Sequence, residues 1–140
     1  MMFLLDTNVV SELRKAKSGR ADRHVVAWAK GMAPAMLFLS VITILELEQG
    51  VLGIERRDAA QGAVLRRWLE SAVLPAFADR ILPIDTAVAR RCAQLHIPDP
   101  RAERDTLIAA TALVHGLTVV TRNGGDFLGS GVRVVDPWVV

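Results

Sequence analysis

A chain of 140 residues, 51% of them hydrophobic and 23% charged, is one domain's length and too apolar for a disordered tail. Seventeen basic against fifteen acidic residues leave +2, too little to establish a nucleic-acid partner, although 14 of the 17 bases are arginine, which suits ion pairs and phosphates. The single cysteine, Cys92, excludes an internal disulfide and a cysteine-built zinc site, and His24, His96 and His115 are too scattered for a histidine-rich one.

Met2-Phe3-Leu4-Leu5 is a short apolar run ending at Asp6, the pattern of a buried strand, and Thr7 to about Arg14 reads as a short helix. No basic stretch precedes that first acid, so no signal peptide is expected. Lys15 to Arg23 reads as a basic surface loop and His24 to Lys30 as a helix. The longest nearly apolar run, Met32 to Leu45, contains Pro34, Ser40 and Thr43 and falls short of the ~20 residues of a membrane span. Leu37-Phe38-Leu39 is a second strand, and Ser40 turns the chain into a helix from about Thr43 to Arg56. Asp58 caps a further helix with Pro75 near its end, and Ile81 to Ile84 forms a third strand. Asp85 or Thr86 then caps a helix to about His96. Glu103 to His115 is a helix stopped by Gly116, followed by a fourth strand, Leu117 to Thr121. An Asn123-Gly124-Gly125 turn and a fifth strand, Val132 to Val135, complete one domain over residues 1–140.

Strands alternating with helices imply βαβ units and a parallel sheet covered on both faces, whose ligands lie beyond the carboxyl ends of the strands. Asp6 sits at that edge after the first strand, and Asp126 lies past the fourth. Asp105 shares a helical stripe with Ile108, Ala109 and Ala112, small enough to bring its helix close to the sheet. Glu46 lies beside the apolar arc of its helix, and Glu48 falls nearer the centre of that arc, so spacing leaves either as the buried acid. Taken alone, Asp6 is also a helix cap, Asp105 a first-turn acid and Asp126 a turn residue. Two carboxylates ~5 Å apart repel by roughly 3 kcal/mol at an effective dielectric of ~20. A cluster of them therefore holds protons or a cation, and oxygen-only donors select Mg²⁺ or Mn²⁺ over zinc.

Phe3-Leu-Leu-Asp-Thr-Asn-Val-Val-Ser-Glu-Leu13, Ser40-Val-Ile-Thr-Ile-Leu-Glu-Leu-Glu-Gln-Gly50, Asp105-Thr-Leu-Ile-Ala-Ala-Thr-Ala-Leu113 and Val120-Thr-Arg-Asn-Gly-Gly-Asp-Phe127 resemble, in order, the four motifs of the PIN-domain family, in particular its VapC-type toxins. The resemblance selects Glu46 over Glu48, because Glu46 is followed by Leu47 and, four positions on, by Gly50. It implies a three-layer α/β/α fold with a mostly parallel sheet of four to five strands. It further implies a cytoplasmic Mg²⁺- or Mn²⁺-dependent endoribonuclease of a toxin–antitoxin module, a homodimer inhibited by a small cognate antitoxin. On that reading Asp6 and Asp105 are the principal metal ligands, and Glu46 and Asp126 complete the cage or orient the attacking water. Thr7, Asn8 and Thr121 support them, Arg122 touches RNA, and cleavage leaves 5′-phosphate and 3′-hydroxyl ends. The Asp99-Pro-Arg-Ala-Glu-Arg104 approach to Asp105 is more charged than the family leads one to expect.

Two other readings stand beside it. A dehalogenase- or receiver-type phosphoryl-transfer enzyme also ends its first strand in Asp, but Asn8 stands where the former carries a second Asp. A non-catalytic module could use the acids to grip an arginine-rich peptide. Trp28, Trp68 and Trp138 read as core or interface anchors, and Cys92 as a small buried apolar residue.

Overall fold

The computed structural model describes residues 1–139. Its five strands, β1 (Phe3–Leu5), β2 (Leu37–Ser40), β3 (Ile81–Leu82), β4 (Thr118–Val120) and β5 (Val134–Val135), pair in parallel in the order β3-β2-β1-β4-β5. From β1 the chain winds outward through β2 and β3, then returns to place β4 on the other side of β1. That reversal opens a crevice at the carboxyl ends of β1 and β4.

Side chains alternate across the sheet with period two. Phe3 and Leu5 face one way, against Val9 and Val10 of α1 (Thr7–Arg14), Val25 of α2 (Arg23–Lys30) and Leu47 and Val51 of α3 (Val41–Arg57). Leu4 and Val119 face the other, against Ile108, Ala109 and Ala112. Those three residues belong to α7 (Glu103–His115). The alanines are 2% and 0% exposed, so the helix rides close to the sheet, as the stripe shared with Asp105 anticipates. Helix α6 (Thr86–Leu95) packs outside α7 through Val88 and Cys92. The result is the expected α/β/α sandwich.

Helix α4 (Ala59–Trp68) runs on through one π-helical turn, Leu69–Val73, into α5 (Leu74–Ala76). It can lie against α3 only because Gly62 has no side chain: a Cβ there would stand 2.5 Å from Glu55 Cα. Arg66 of α4 then reaches Glu48 at 2.6 Å and Glu55 at 3.0 Å on α3.

Several boundaries differ from the sequence reading. Helix α3 starts at Val41, because Ser40 Oγ accepts the Ile42 N–H at 3.0 Å and caps it. Strand β3 stops at Leu82, since Pro83 has no N–H to continue the ladder. Strand β5 begins at Val134, after a loop that turns through Gly129 and Gly131 at φ 79° and 84°. The Asn123–Gly125 turn tightens into a 3₁₀ turn, Gly124–Phe127. The basic segment after Arg14 is partly ordered as a 3₁₀ turn, Ala16–Ser18, and Arg23 already belongs to α2. Among the described residues no helix is long and apolar enough to cross a membrane.

Candidate active site

Asp6 leaves β1 in extended conformation and caps α1, its Oδ1 accepting the Thr7 N–H at 2.8 Å. The cap and the site are therefore the same side chain. Its Oδ2 accepts from the Thr121 hydroxyl at 2.8 Å and from Asn8 Nδ2 at 3.4 Å. Asn8 also donates to Thr121 Oγ1 at 3.2 Å and accepts the Arg122 N–H at 3.3 Å. These bonds tie the end of β1 to the end of β4 and leave Asp6 only 7% exposed.

Glu46 reaches the same cleft from α3, and the Thr7 hydroxyl donates to its Oε1 at 2.6 Å while lying 3.1 Å from Thr43 Oγ1. Thr43, fully buried, is a supporting residue that the sequence reading did not single out. Asp105 enters from the first turn of α7, half-buried, and Asp126 from the 3₁₀ turn after β4, exposed. Glu48 is elsewhere, its carboxylate held by Arg66. Asp6, Glu46 and Asp105 line one cleft of about 580 Å³, whose wall also carries Arg14, Arg122 and Trp138. Trp138, expected as a core or interface anchor, thus lies along the cleft, as does Arg14, the last residue of α1. The Arg122 guanidinium lies 5.2 Å from the centroid of the Trp138 ring.

Burial pushes the Asp6 carboxyl above its ordinary range; its bonds from Thr121 and Thr7 oppose this, and Glu46 and Asp126 add to it. Asp105 is raised by burial and then by Asp126, Asp6 and Glu46. Asp6 and Asp105 thus feel the other acids, while Asp126, exposed on its 3₁₀ turn, acts on them from outside the lining of the cleft. Among the described residues the one cation paired with any of the four acids is Arg104, whose Nη1 stands 3.7 Å from Glu46 Oε2. This pair is too long and too exposed to neutralise the set.

The donor set fits a hard divalent cation: carboxylate oxygens, no thiolate and no imidazole. No three of the four acids bring carboxylate oxygens within 4.8 Å of one another. A different trio does come that close, at the turn between α6 and α7: Cys92, His96 and Glu103. The histidines are thus less isolated than their spacing suggests. His96 Nδ1, however, accepts the Arg101 N–H at 3.0 Å, which puts the ring proton on Nε2, facing Glu103 Oε2 at 3.2 Å. A ring nitrogen carrying its proton is a donor to Glu103 and not a metal ligand.

The model of the PIN domain family matches residues 3–128. VapC ribonuclease Y4jK of Sinorhizobium fredii is 37% identical over 142 residues, covering 98% of this chain and 98% of the relative. The crystal structure of FitAcB from Neisseria gonorrhoeae superposes with a TM-score of 0.89 at 40% identity, over 99% of this chain and 100% of that one. A toxin–antitoxin complex from Klebsiella pneumoniae gives 0.63 at 29% identity, over 96% of each chain.

Proposed function

Because the chain belongs to the PIN-domain family, we propose that it is, as one domain over residues 1–140, the endoribonuclease toxin of a toxin–antitoxin pair. In this reading it acts in the cytoplasm as a homodimer, requires Mg²⁺ or Mn²⁺, and is held inactive by a small cognate antitoxin. The ribonuclease name of one relative and the toxin–antitoxin assembly of one structural neighbour support it. The observation that carries it is the meeting of Asp6, Glu46 and Asp105, from three separate elements, along one cleft at the carboxyl edge of the sheet.

Asp6 and Asp105 would be the principal ligands of the ion, with Glu46 and Asp126 reaching it through water or orienting the attacking water. When bound, such an ion supplies positive charge for the phosphodiester and a more acidic water. The chain's own part is to aim and hold. Thr121 and Asn8 fix Asp6, and Thr7 fixes Glu46, so each carboxylate keeps its direction when the cleft is empty of substrate. Arg122, steadied on Trp138, is placed to meet a phosphate at the cleft wall. None of the three histidines lies along the cleft, so in this reading the acceptor of the attacking water's proton would be one of the carboxylates.

Purified protein incubated with total cellular RNA and Mg²⁺ or Mn²⁺ tests this. The expected products are discrete fragments with 5′-phosphate and 3′-hydroxyl ends, absent with EDTA and with Asp6→Ala. Equal cleavage in EDTA, or by a folded Asp6→Ala protein, would overturn it.

A further inference from the structure

Arg104 immediately precedes Asp105 at the start of α7, and its guanidinium is the one cation among the described residues that ion-pairs with a member of the acid set. The other bases near the cleft are engaged differently. Lys15 pairs with Glu12 at 2.9 Å, Arg14 lies over the Trp68 ring at 6.0 Å, and Arg122 lies over Trp138. The Arg104–Glu46 pair is open to solvent, its side chains 47% and 29% exposed, and at 3.7 Å it lacks close hydrogen-bond geometry. Such a pair is weak and readily exchanged.

Charge counting shows why exchange matters. Four carboxylates and one divalent ion leave the cleft negative, and an RNA phosphodiester brings a further negative charge to it. A mobile cation at the lip of the cleft would offset that charge where the substrate enters. This accounts for the unusually charged approach to Asp105, which the proposed ligand set does not use.

We propose that Arg104 is a substrate-phosphate anchor that rests on Glu46 until that carboxylate turns to a divalent ion, and then binds the phosphodiester; this rests on the ribonuclease reading. The same guanidinium serves both partners because its planar fork matches a carboxylate and a pair of non-bridging phosphate oxygens alike. Arg104 therefore competes with metal for Glu46 in the resting protein and cooperates with metal in holding RNA.

The two halves are measured separately on the whole chain. Calorimetric titration with Mn²⁺ alone should show Arg104→Ala binding the metal about two- to five-fold more tightly than the wild type, the worth of an exposed ion pair. Anisotropy of a labelled mixed-sequence oligoribonucleotide, read before cleavage proceeds, should show Arg104→Ala binding several-fold more weakly in Mn²⁺. Its salt dependence should be shallower by about 0.7, the share of one phosphate contact on a single strand. In EDTA the variant and the wild type should bind RNA alike, and Arg104→Lys should recover most of the salt slope. A merely structural role would weaken RNA binding equally with and without metal, and that result, or unchanged Mn²⁺ affinity in Arg104→Ala, overturns the proposal. A wild-type chain that takes up no Mn²⁺ would instead bring down the ribonuclease reading itself, and this proposal with it.

Discussion

The Thr121 hydroxyl donates to Asp6 Oδ2 at 2.8 Å, joining two residues 115 positions apart across the β1–β4 crevice. That bond holds the Asp6 carboxyl down against the burial that raises it. Thr121→Val keeps the shape and removes the donor. The variant should bind Mn²⁺ about ten-fold or more weakly, the usual cost of losing a partner behind a ligand. It should also lose about 1–3 kcal/mol of stability, since a charge-assisted bond is broken. Mn²⁺ titration and urea unfolding in EDTA measure the two effects.

The raised Asp105 carboxyl has a stability consequence whose sign is fixed by linkage. A value above the unfolded one means that the native state binds this proton more tightly. The resulting stabilisation is full below the unfolded value, ~3.9, and is lost as pH rises through the folded value. At neutral pH in EDTA, Asp105→Asn should therefore be more stable than the wild type, and the advantage should shrink as pH falls towards 4. Urea midpoints across that range check it; a variant less stable at pH 7 would contradict a carboxyl raised by burial and by its acidic neighbours.

Arg122→Ala removes a cation held over Trp138 at the cleft wall. RNA cleavage should weaken to a similar degree for all sequences, through KM more than kcat, because a phosphate contact carries no base information. Initial rates on several RNAs of differing sequence measure this.

Gly62→Ala would drive a Cβ into the backbone of Glu55 and part α3 from α4. We expect a loss of about 1–3 kcal/mol, typical of overpacking, read as a lower melting temperature. Glu46 sits on the same α3, so Mn²⁺ affinity should also fall.

What could be read in advance depended on how local the determining physics was. Strand-end Asp6, the cap Asp58 and Gly116 after α7 follow from neighbours in sequence, and each stands where expected. The helical stripe Asp105, Ile108, Ala109 and Ala112 likewise predicted which face of α7 meets the sheet. Helical spacing leaves Glu46 and Glu48 open and only the motif around Glu46 selects it; the physical reason is tertiary, since Arg66 on α4 captures Glu48 while Thr7 on α1 claims Glu46. Arg104 reaching Glu46, Trp138 under Arg122 and His96 beside Glu103 are tertiary meetings of long side chains, which periodicity does not encode. The short β3 and β5 were overdrawn because a run of apolar residues does not reveal where ladder pairing stops.

We propose that a hard divalent ion relieves the repulsion that Asp6 and Asp105 feel from each other and from Glu46 and Asp126. The most direct measurement is the melting temperature of the wild type and of Asp105→Asn across a Mn²⁺ titration, read against EDTA. The account predicts a wild-type rise that grows with metal, reaching about 2.7 kcal/mol of added stability at one hundred times the dissociation constant, and a much smaller rise in the variant. A wild type indifferent to Mn²⁺, or a variant stabilised equally, would contradict it.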